Sequence, residues 1–237
     1  MLKSYVAFDV ETTGLNPEEN EIIEIGALKV RDGKVRDRFM ELIRPRETIS
    51  QTISDLTGIT NDMVADARSA DQVIPDFLDF CGEDILIGHN ILFDYSFMKV
   101  GAAGCGKAFE KYGIDTLKIA RRVLQELESK SLERLCAYYH IENKSAHRAY
   151  HDALATAKLY QTLAHYFENV QPKVFQPMQL FYRPKKVYPA TQRQISFLTN
   201  LIHRNHLEIE LDPENLSRSE ASRMIDQILN GKNKDRS

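Results

Sequence analysis

The stretch that decides the fold is YVAFDVETTGL, residues 5–15, in which an apolar run meets two acids and a Thr-Thr-Gly turn. The run predicts a buried strand, and because side chains alternate along a strand, Asp9 and Glu11 point to one side. Two neighbouring carboxylates among apolar residues repel each other and lose hydration unless a cation binds between them. A solvated strand edge is the alternative, which the apolar neighbours disfavour. The stretch therefore predicts a strand that ends in a metal site.

Strand patterns dominate the first part of the chain. IIEIGALKV, residues 22–30, predicts a second strand, and an Asp-Gly turn at 32–33 leads into a third over Val35 to Ile43. DILIGHN, residues 84–90, and the start of KYGIDTLKIARRVL, residues 111–124, predict two more. Helical patterns are interleaved with these later strands. The order indicates an α/β domain with a mixed five-stranded sheet and flanking helices.

Helical periodicity marks the segments between and after the strands. Ser69 is expected to cap one helix and Asp115 to lie near the start of another. Short helices are expected in 52–67 and in 70–81, and further helices in 91–102, 115–124, 131–140 and 152–167.

The last third of the chain has a different organisation. Four prolines between Val170 and Pro189 indicate a linker. Beyond it, one helical pattern starts at Thr191, and Ser217 with Glu220 forms a capping box before another, so a small C-terminal helical hairpin is expected. The predicted division is a first domain over 1–169, a Pro-rich linker over 170–189, a helical module of unknown role over 190–231 and a polar tail over 232–237.

Composition narrows the class of protein. The 237 residues are 43% hydrophobic and 27% charged, which is typical of a soluble globular chain. Residues 1–169 carry 20 Lys and Arg against 27 Asp and Glu, a net charge of −7, whereas the remainder carries 11 against 7, a net charge of +4. With no apolar run of about 18 residues and no signal pattern, we expect a cytoplasmic protein without membrane contact. Three widely spaced cysteines favour neither disulfides nor a Cys-rich zinc site.

Two further acids extend the predicted metal site. Asp94 lies in GHNILFD just past a buried strand, and Asp152 lies in HRAYHD near the start of the long helix. Alone, each could be an acid that favours a helix start. Together with Asp9 and Glu11 they supply four carboxylates, a donor set suited to two Mg²⁺ or Mn²⁺ ions. Such a pair assists phosphoryl chemistry by ionising the attacking water and stabilising the leaving oxygen.

The three motifs, in this order, resemble motifs I, II and III of the DEDDh 3′→5′ exonucleases, the relatives of the epsilon proofreading subunit of bacterial replicative polymerases. The first 100 residues most resemble the proofreading domain within the replicative polymerase of low-GC Gram-positive bacteria, through YVAFDVETTGL, DGKV, ISDLTGIT and ILIGHNILFD. The resemblance covers about residues 3 to 168 and implies a ribonuclease H-like fold.

The resemblance also implies roles for the site residues. Asp9, Glu11, Asp94 and Asp152 would bind the metal ions, and His147 would be the general base. His stands five residues before the third-motif Asp, which fits the His class of the family. Because that spacing on one helix would separate the two side chains, His147 is expected in the loop before the helix. An imidazole with a pKa near neutrality can accept a proton from the attacking water. His140 and His151 compete by residue type alone, and a structural role is expected for His151.

The same motifs suggest a substrate surface. Thr12, Thr13, Gly14 and Leu15 resemble the segment that lies against the 3′-terminal nucleotide, and Asn90 and Phe93 would support the site. Glu24 and Asp115 match acids common in the family, although hydrogen bonding and helix capping would explain them equally. Thr57 stands where many epsilon-type members carry His, a departure that weakens any substrate assignment from the LTGIT loop but does not affect the metal site.

The predicted function is metal-dependent 3′→5′ hydrolysis of DNA ends that releases nucleoside monophosphates, in proofreading or repair. The substrate would be a single-stranded or frayed 3′ end. A 3′→5′ exoribonuclease and a non-catalytic nucleic-acid-binding module are the alternatives. QPMQLF, residues 176–181, resembles a peptide that docks on a sliding clamp, so a separate polymerase or the clamp could bind through Gln176, Met178, Leu180 and Phe181. Packing of these apolar side chains onto a neighbouring domain is the alternative.

Overall fold

The computed structural model describes residues 1–143, 147–183, 188–205, 207, 209, 211–213 and 216–234. Its contacts divide the chain into two compact units, Met1–Arg183 and Pro184–Ser237. Among the described residues, no helix combines the length and the apolar character that crossing a membrane requires.

The first unit is built on a mixed sheet. Within the described residues it has seven strands in the order β4-β3-β2-β1-β5-β6-β7. They are β1 Tyr5–Thr12, β2 Ile22–Arg31, β3 Lys34–Arg44, β4 Arg68–Ser69, β5 Leu86–Gly88, β6 Tyr112–Asp115 and β7 Met178–Gln179. The first three pair antiparallel, whereas β5 runs parallel to β1 and β6 parallel to β5. The five expected strands are present. The two added strands, β4 and β7, have two residues each, too few to show an alternating pattern in the sequence.

Helices cover both faces of this sheet. They are α1 Gln51–Thr57, α2 Asn61–Val64, α3 Ala70–Cys81, α4 Leu92–Gly104, α5 Thr116–Val123, α6 Leu132–Tyr138 and α7 Ala149–Phe167, followed by a 3₁₀ helix, Pro172–Phe175. Both expected N-terminal caps are formed. At the start of α3 the Ser69 N–H donates to the Gln72 side chain, and at the start of α5 the Asp115 carboxylate accepts from the Leu117 N–H.

Alternation along β1 sends its side chains into two cores. Val6, Phe8 and Val10 pack with residues of α3 and α4 on one face. Tyr5 and Ala7 pack with α7 on the other. Asp9 and Glu11 continue this second series. The acids of β1 therefore emerge on the α7 face, where that helix begins.

The segment after residue 169 belongs to the first unit. Phe175 and Leu180 are buried in its cores, and β7 pairs antiparallel with β6. The contact-defined boundary after Arg183 therefore falls inside the stretch 170–189 that composition marks as a linker, because proline content does not reveal the two buried apolar anchors. Residues 184–187 of that stretch lie outside the described residues.

The second unit contains the expected helical pair, α8 Gln192–Arg204 and α9 Arg218–Lys234. Leu198 and Leu201 of α8 and Ala221 of α9 are buried. The Thr191 hydroxyl accepts from the Gln194 N–H at the start of α8. The capping box before α9 is formed, because the Ser217 N–H donates to the Glu220 carboxylate and the Glu220 N–H to the Ser217 hydroxyl. The helix α9 continues into the stretch 232–237 expected to be a polar tail, of which 235–237 lie outside the described residues.

Candidate active site

Three carboxylates from two elements meet beside the end of β1. Oxygen atoms of Asp9, Glu11 and Asp152 all lie within 4.8 Å of one another. Asp9 and Glu11 are two apart on β1, and Asp152 is in the first turn of α7. Strand alternation and the start of the long helix thus bring together residues that are more than 140 positions apart in the sequence.

Asp94 is the fourth expected acid, and it lies at the wall of the same cleft. It is buried in the first turn of α4, and its Oδ1 accepts a hydrogen bond from the Val10 N–H at 3.0 Å. The three-carboxylate group does not include it. One Asp94 oxygen therefore holds the β1 backbone between Asp9 and Glu11, and the other can still face the cleft.

Burial and mutual repulsion shift the pKa values of these acids upward. Desolvation and then the charges of Asp152, Glu24 and Asp94 raise the pKa of Glu11 to about 8. Desolvation likewise raises the pKa of Asp94 to about 8 and that of Asp9 well above its usual range, where the Asp94 charge adds to the effect. The pKa of Asp152 is also raised by burial. Such crowding is unfavourable for bare carboxylates, so this oxygen-only donor set fits hard divalent cations.

His147 lies in the loop before α7, as its spacing from Asp152 predicts. Its side chain is exposed and lines the cleft of about 290 Å³ that contains the carboxylates. Its backbone has a φ of 62°, and its N–H donates to Asp152 Oδ2 at 2.8 Å. One oxygen of Asp152 thus fixes the loop that carries the imidazole. The lining of this cleft includes neither His140 nor His151, and His140 lies in a separate groove.

The start of α7 is anchored to β2 by a buried acid. Glu24 accepts hydrogen bonds from the Arg148 guanidinium, the shortest at 2.8 Å, and from the Ala149 N–H at 2.9 Å. Hydrogen bonding and helix capping therefore account for Glu24. Arg148 is a site residue that the sequence did not single out, because nothing near it indicates a partner on β2. Its position next to His147 was the available signal.

Gly26 lets the helix approach the sheet. It pairs with Asp9 across the strands. A Cβ atom at Gly26 would lie 1.9 Å from the Tyr150 backbone nitrogen, so only glycine fits under the first turn of α7.

Two more polar side chains of the cleft were not predicted. Asn143 donates from Nδ2 to Asp152 Oδ1 at 2.7 Å, so both oxygens of that acid accept hydrogen bonds. His89 Nε2 lies 2.9 Å from the Lys130 carbonyl oxygen, which can only accept, so this nitrogen carries a proton. Its Nδ1 lies 2.9 Å from Thr116 Oγ1. His89 could have been suspected from its place beside Asn90, whereas Asn143 lies in a loop with no periodic signal.

The expected substrate turn is firmly tied to the sheet. The Thr12 hydroxyl donates to the Gly14 carbonyl at 2.6 Å, and the Thr13 hydroxyl accepts from the Glu21 N–H at 2.9 Å. Gly14 is packed so closely that a Cβ would lie 2.5 Å from Asn20 Oδ1. Leu15 is 84% exposed. The turn is thus a rigid support that presents one large apolar side chain to solvent.

Asn90 and Phe93 complete the expected set from the opposite wall. Both line the cleft with the carboxylates. Asn90 has a φ of 68°, and its N–H donates to Asp115 Oδ1 at 3.0 Å. The same Asp115 oxygen accepts from the Leu117 N–H to cap α5. Asp115 is therefore explained by capping and by its bond to Asn90.

Relatives that match this chain include bacterial proteins named DNA polymerase III PolC-type. The chain is 34% identical over 216 residues to DNA polymerase III PolC-type of Caldanaerobacter subterraneus subsp. tengcongensis, a match that covers 86% of this chain and 15% of the relative. It is 42% identical over 157 residues to the protein of the same name from Halalkalibacterium halodurans, a match that covers 65% of this chain and 11% of that relative. The chain thus spans less than a fifth of the length of these relatives.

Solved nucleases share the fold of the first unit. Exonuclease X in complex with 5′-overhanging duplex DNA matches with a TM-score of 0.58 and 27% identity, over 69% of this chain and 92% of that one. The nuclease domain of 3′hExo, a DEDDh family member bound to rAMP, matches with a TM-score of 0.63 and 19% identity. This match covers 76% of this chain and 98% of that one. Residues 6–160 match the RNase_T family, described as Exonuclease. The chain therefore belongs to this exonuclease family.

Proposed function

We propose that this protein is a divalent-cation-dependent 3′→5′ exonuclease that hydrolyses phosphodiester bonds at DNA 3′ ends and releases nucleoside monophosphates. One observation carries the proposal: the Asp9, Glu11 and Asp152 carboxylates lie within 4.8 Å of one another in a cleft that His147 also lines. Most of this chain is similar in sequence to DNA polymerase III PolC-type. That similarity supports DNA as the substrate and proofreading or repair as the setting.

Two divalent ions, Mg²⁺ or Mn²⁺, are proposed as the cofactors. Asp9, Glu11 and Asp152 would hold them, with Asp94 contributing the oxygen that is free to face the cleft. When bound, such ions lower the pKa of water and neutralise negative charge on a phosphate. They would also relieve the repulsion that raises the pKa values of the acids, which gives the buried cluster a physical reason to exist.

His147 is proposed to accept the proton of the attacking water. Its side chain is exposed at the cleft, so solvent can carry the proton away afterwards. Its backbone is tied to Asp152 Oδ2, and Arg148 beside it is tied to Glu24. These bonds orient the loop without occupying the imidazole, which suits a general base.

The turn from Thr12 to Leu15 is proposed to hold the terminal nucleotide. Exposed Leu15 would contact the terminal base, and Asn90 and Phe93 would bound the nucleotide from the other wall. Because the turn is fixed by its own hydrogen bonds, it would position the scissile phosphate with little reorganisation.

The observed packing of residues 176–181 argues against a sliding clamp as the partner of this segment. Docking of Gln176, Met178, Leu180 and Phe181 in a clamp groove would require Leu180, which is 4% exposed, to leave the core. We therefore propose that the segment is held by the exonuclease unit. A labelled peptide over 174–183 should bind a sliding clamp no more tightly than the same peptide with Leu180→Ala and Phe181→Ala. Clamp binding that the substitutions abolish would restore the clamp as partner.

The function itself is tested by digestion of 5′-labelled substrates. Single-stranded DNA, mismatched duplex DNA and RNA should be compared with Mg²⁺, with Mn²⁺ and with EDTA. We expect stepwise shortening of DNA from the 3′ end that EDTA stops, with RNA cut more slowly. Faster cleavage of RNA would assign the exoribonuclease activity, and cleavage of no substrate with either metal would leave only a binding module.

A further inference from the structure

The segment Leu180–Arg183 alternates between buried and exposed side chains. Leu180 is 4% exposed and Tyr182 packs against the core around α4, whereas Phe181 is 67% exposed and Arg183 is exposed. The Arg183 guanidinium carbon lies 5.8 Å from the centre of the Phe181 ring. An aromatic ring and a cation are therefore presented together on the outer side of a segment that is anchored by its inner side.

Both anchors contact residues that are close in sequence to those proposed to hold the terminal nucleotide. Leu180 and Ile91 each have a methyl group within 3 Å of where a Cβ of Gly113 would lie, so the two side chains share that space, and Ile91 follows Asn90 in the sequence. The Tyr182 hydroxyl donates to the Glu18 carboxylate, three residues after Leu15. Phe181 thus lies between two anchors that contact residues close in sequence to Asn90 and Leu15.

The chemistry of this pair suits a nucleic-acid strand. An exposed aromatic ring stacks on any base, and an arginine beside it can bind the adjacent phosphate. Two side chains are too few for a stable protein interface, which buries roughly 800 Å² on each partner. Accepting the proposed exonuclease function, we propose that Phe181 and Arg183 form a second contact for single-stranded DNA, beyond the terminal nucleotide bound by the turn.

The test compares substrates that reach this contact with one that does not. Phe181→Ala and Arg183→Ala are assayed on single-stranded DNA and on the p-nitrophenyl ester of thymidine 5′-monophosphate, which occupies only the terminal site. The ratio of kcat/KM for DNA to kcat/KM for the ester should fall at least about fivefold, the loss of one stacked base. Tyr166→Ala and Arg36→Ala, which remove an exposed ring at the far end of α7 and an exposed cation on β3, should leave the ratio unchanged.

A binding measurement separates this proposal from the exonuclease function. Fluorescence anisotropy with Ca²⁺ reports DNA affinity without requiring turnover, and Phe181→Ala should weaken it by at least about fivefold. If wild-type protein cuts neither substrate but the variants lose DNA affinity, the exonuclease function fails and the contact stands. If wild-type protein is active and the variants keep both the ratio and the affinity, the contact is overturned. Loss of clamp binding with unchanged DNA affinity would also overturn it in favour of a protein partner.

Discussion

Glu11 and Glu24 lie directly opposite each other across the antiparallel pair of β1 and β2, yet within the described part of the chain only Glu24 forms an ion pair. Arg148 and the Ala149 N–H satisfy Glu24, whereas Glu11 faces Asp9 and Asp152. Like charges directly opposite in a sheet are destabilising. Arg148 thus pairs with the acid that holds α7 and leaves Glu11 available for the proposed metal site.

Arg148→Ala should destabilise the protein and slow catalysis. It leaves Glu24, whose side chain is 7% exposed, without its guanidinium, which should cost about 1–3 kcal/mol of unfolding free energy. Because His147 is the adjacent residue, kcat should fall as well. Arg46→Ala is the matched control, since Arg46 pairs with Glu21 while 94% exposed and should cost less than about 1 kcal/mol. Equal losses in urea unfolding of the two variants would argue against the anchoring role.

His147→Ala should lower kcat about 10²- to 10⁴-fold and spare metal affinity, because the imidazole is proposed to move a proton. Asp9→Ala should lower both kcat and metal affinity, because Asp9 is proposed to bind the metal. His140→Ala, in a groove apart from the cleft, should be neutral. Mn²⁺ titration calorimetry beside kinetics distinguishes the roles. If His147→Ala lost metal as completely as Asp9→Ala, the base and ligand assignments would have to be exchanged.

Metal binding should strengthen as the pH rises toward 8. The pKa values of Glu11 and Asp94 are raised to about 8, so the metal-free folded state binds their protons more tightly than the unfolded chain does. Its stability should therefore fall between about pH 4 and pH 8, as the unfolded chain loses these protons first. Metal competes with the same protons, so Mg²⁺ should raise Tm more at pH 8.5 than at pH 6. In Glu11→Gln, the pH dependence should weaken and the metal-free Tm should rise. An equal Mg²⁺ effect at both pH values would contradict this.

Gly26→Ala should disrupt the site even though the substitution adds one methyl group. The new Cβ would meet the backbone of Tyr150, which cannot rotate away, so the start of α7 must shift with Asp152. We expect a loss of at least about 1–3 kcal/mol and a large loss of activity. Gly104→Ala meets no atom within 4 Å and should be neutral in both respects. Thermal unfolding and Mn²⁺ affinity check the pair, and a wild-type Tm in Gly26→Ala would refute the close approach.

Asp94→Asn and Asp94→Ala should differ in stability. The Asn oxygen can still accept from the Val10 N–H, whereas Ala leaves that buried N–H without the acceptor, at a cost of about 1–3 kcal/mol. Both remove a negative charge from the cleft and should weaken metal binding. Urea unfolding of the metal-free variants measures the difference. Identical midpoints would show that the bond to Val10 contributes little.

Features that depend on residues close together in the sequence were predictable. Alternation in β1 placed Asp9 and Glu11 on one side, and the spacing of His147 from Asp152 placed the histidine before α7; both are observed. Contacts between distant segments were not predictable. Nothing near Arg148 indicates that its partner lies on β2, and nothing near Leu180 indicates a space above Gly113. The hydrogen bond from the Val10 N–H to Asp94 likewise joins segments that are distant in the sequence.

The short strand β7 determines how far the protein can be shortened. It covers the outer side of β6, and the Leu180 N–H also bonds to the Lys111 carbonyl at 2.8 Å. A chain cut after Asn169 would leave the backbone groups of β6 bare and the space above Gly113 unfilled. Bare strand edges recruit other strands. Such a fragment would keep every residue of the proposed active site and yet be prone to self-association, so a soluble fragment should need the chain as far as Arg183.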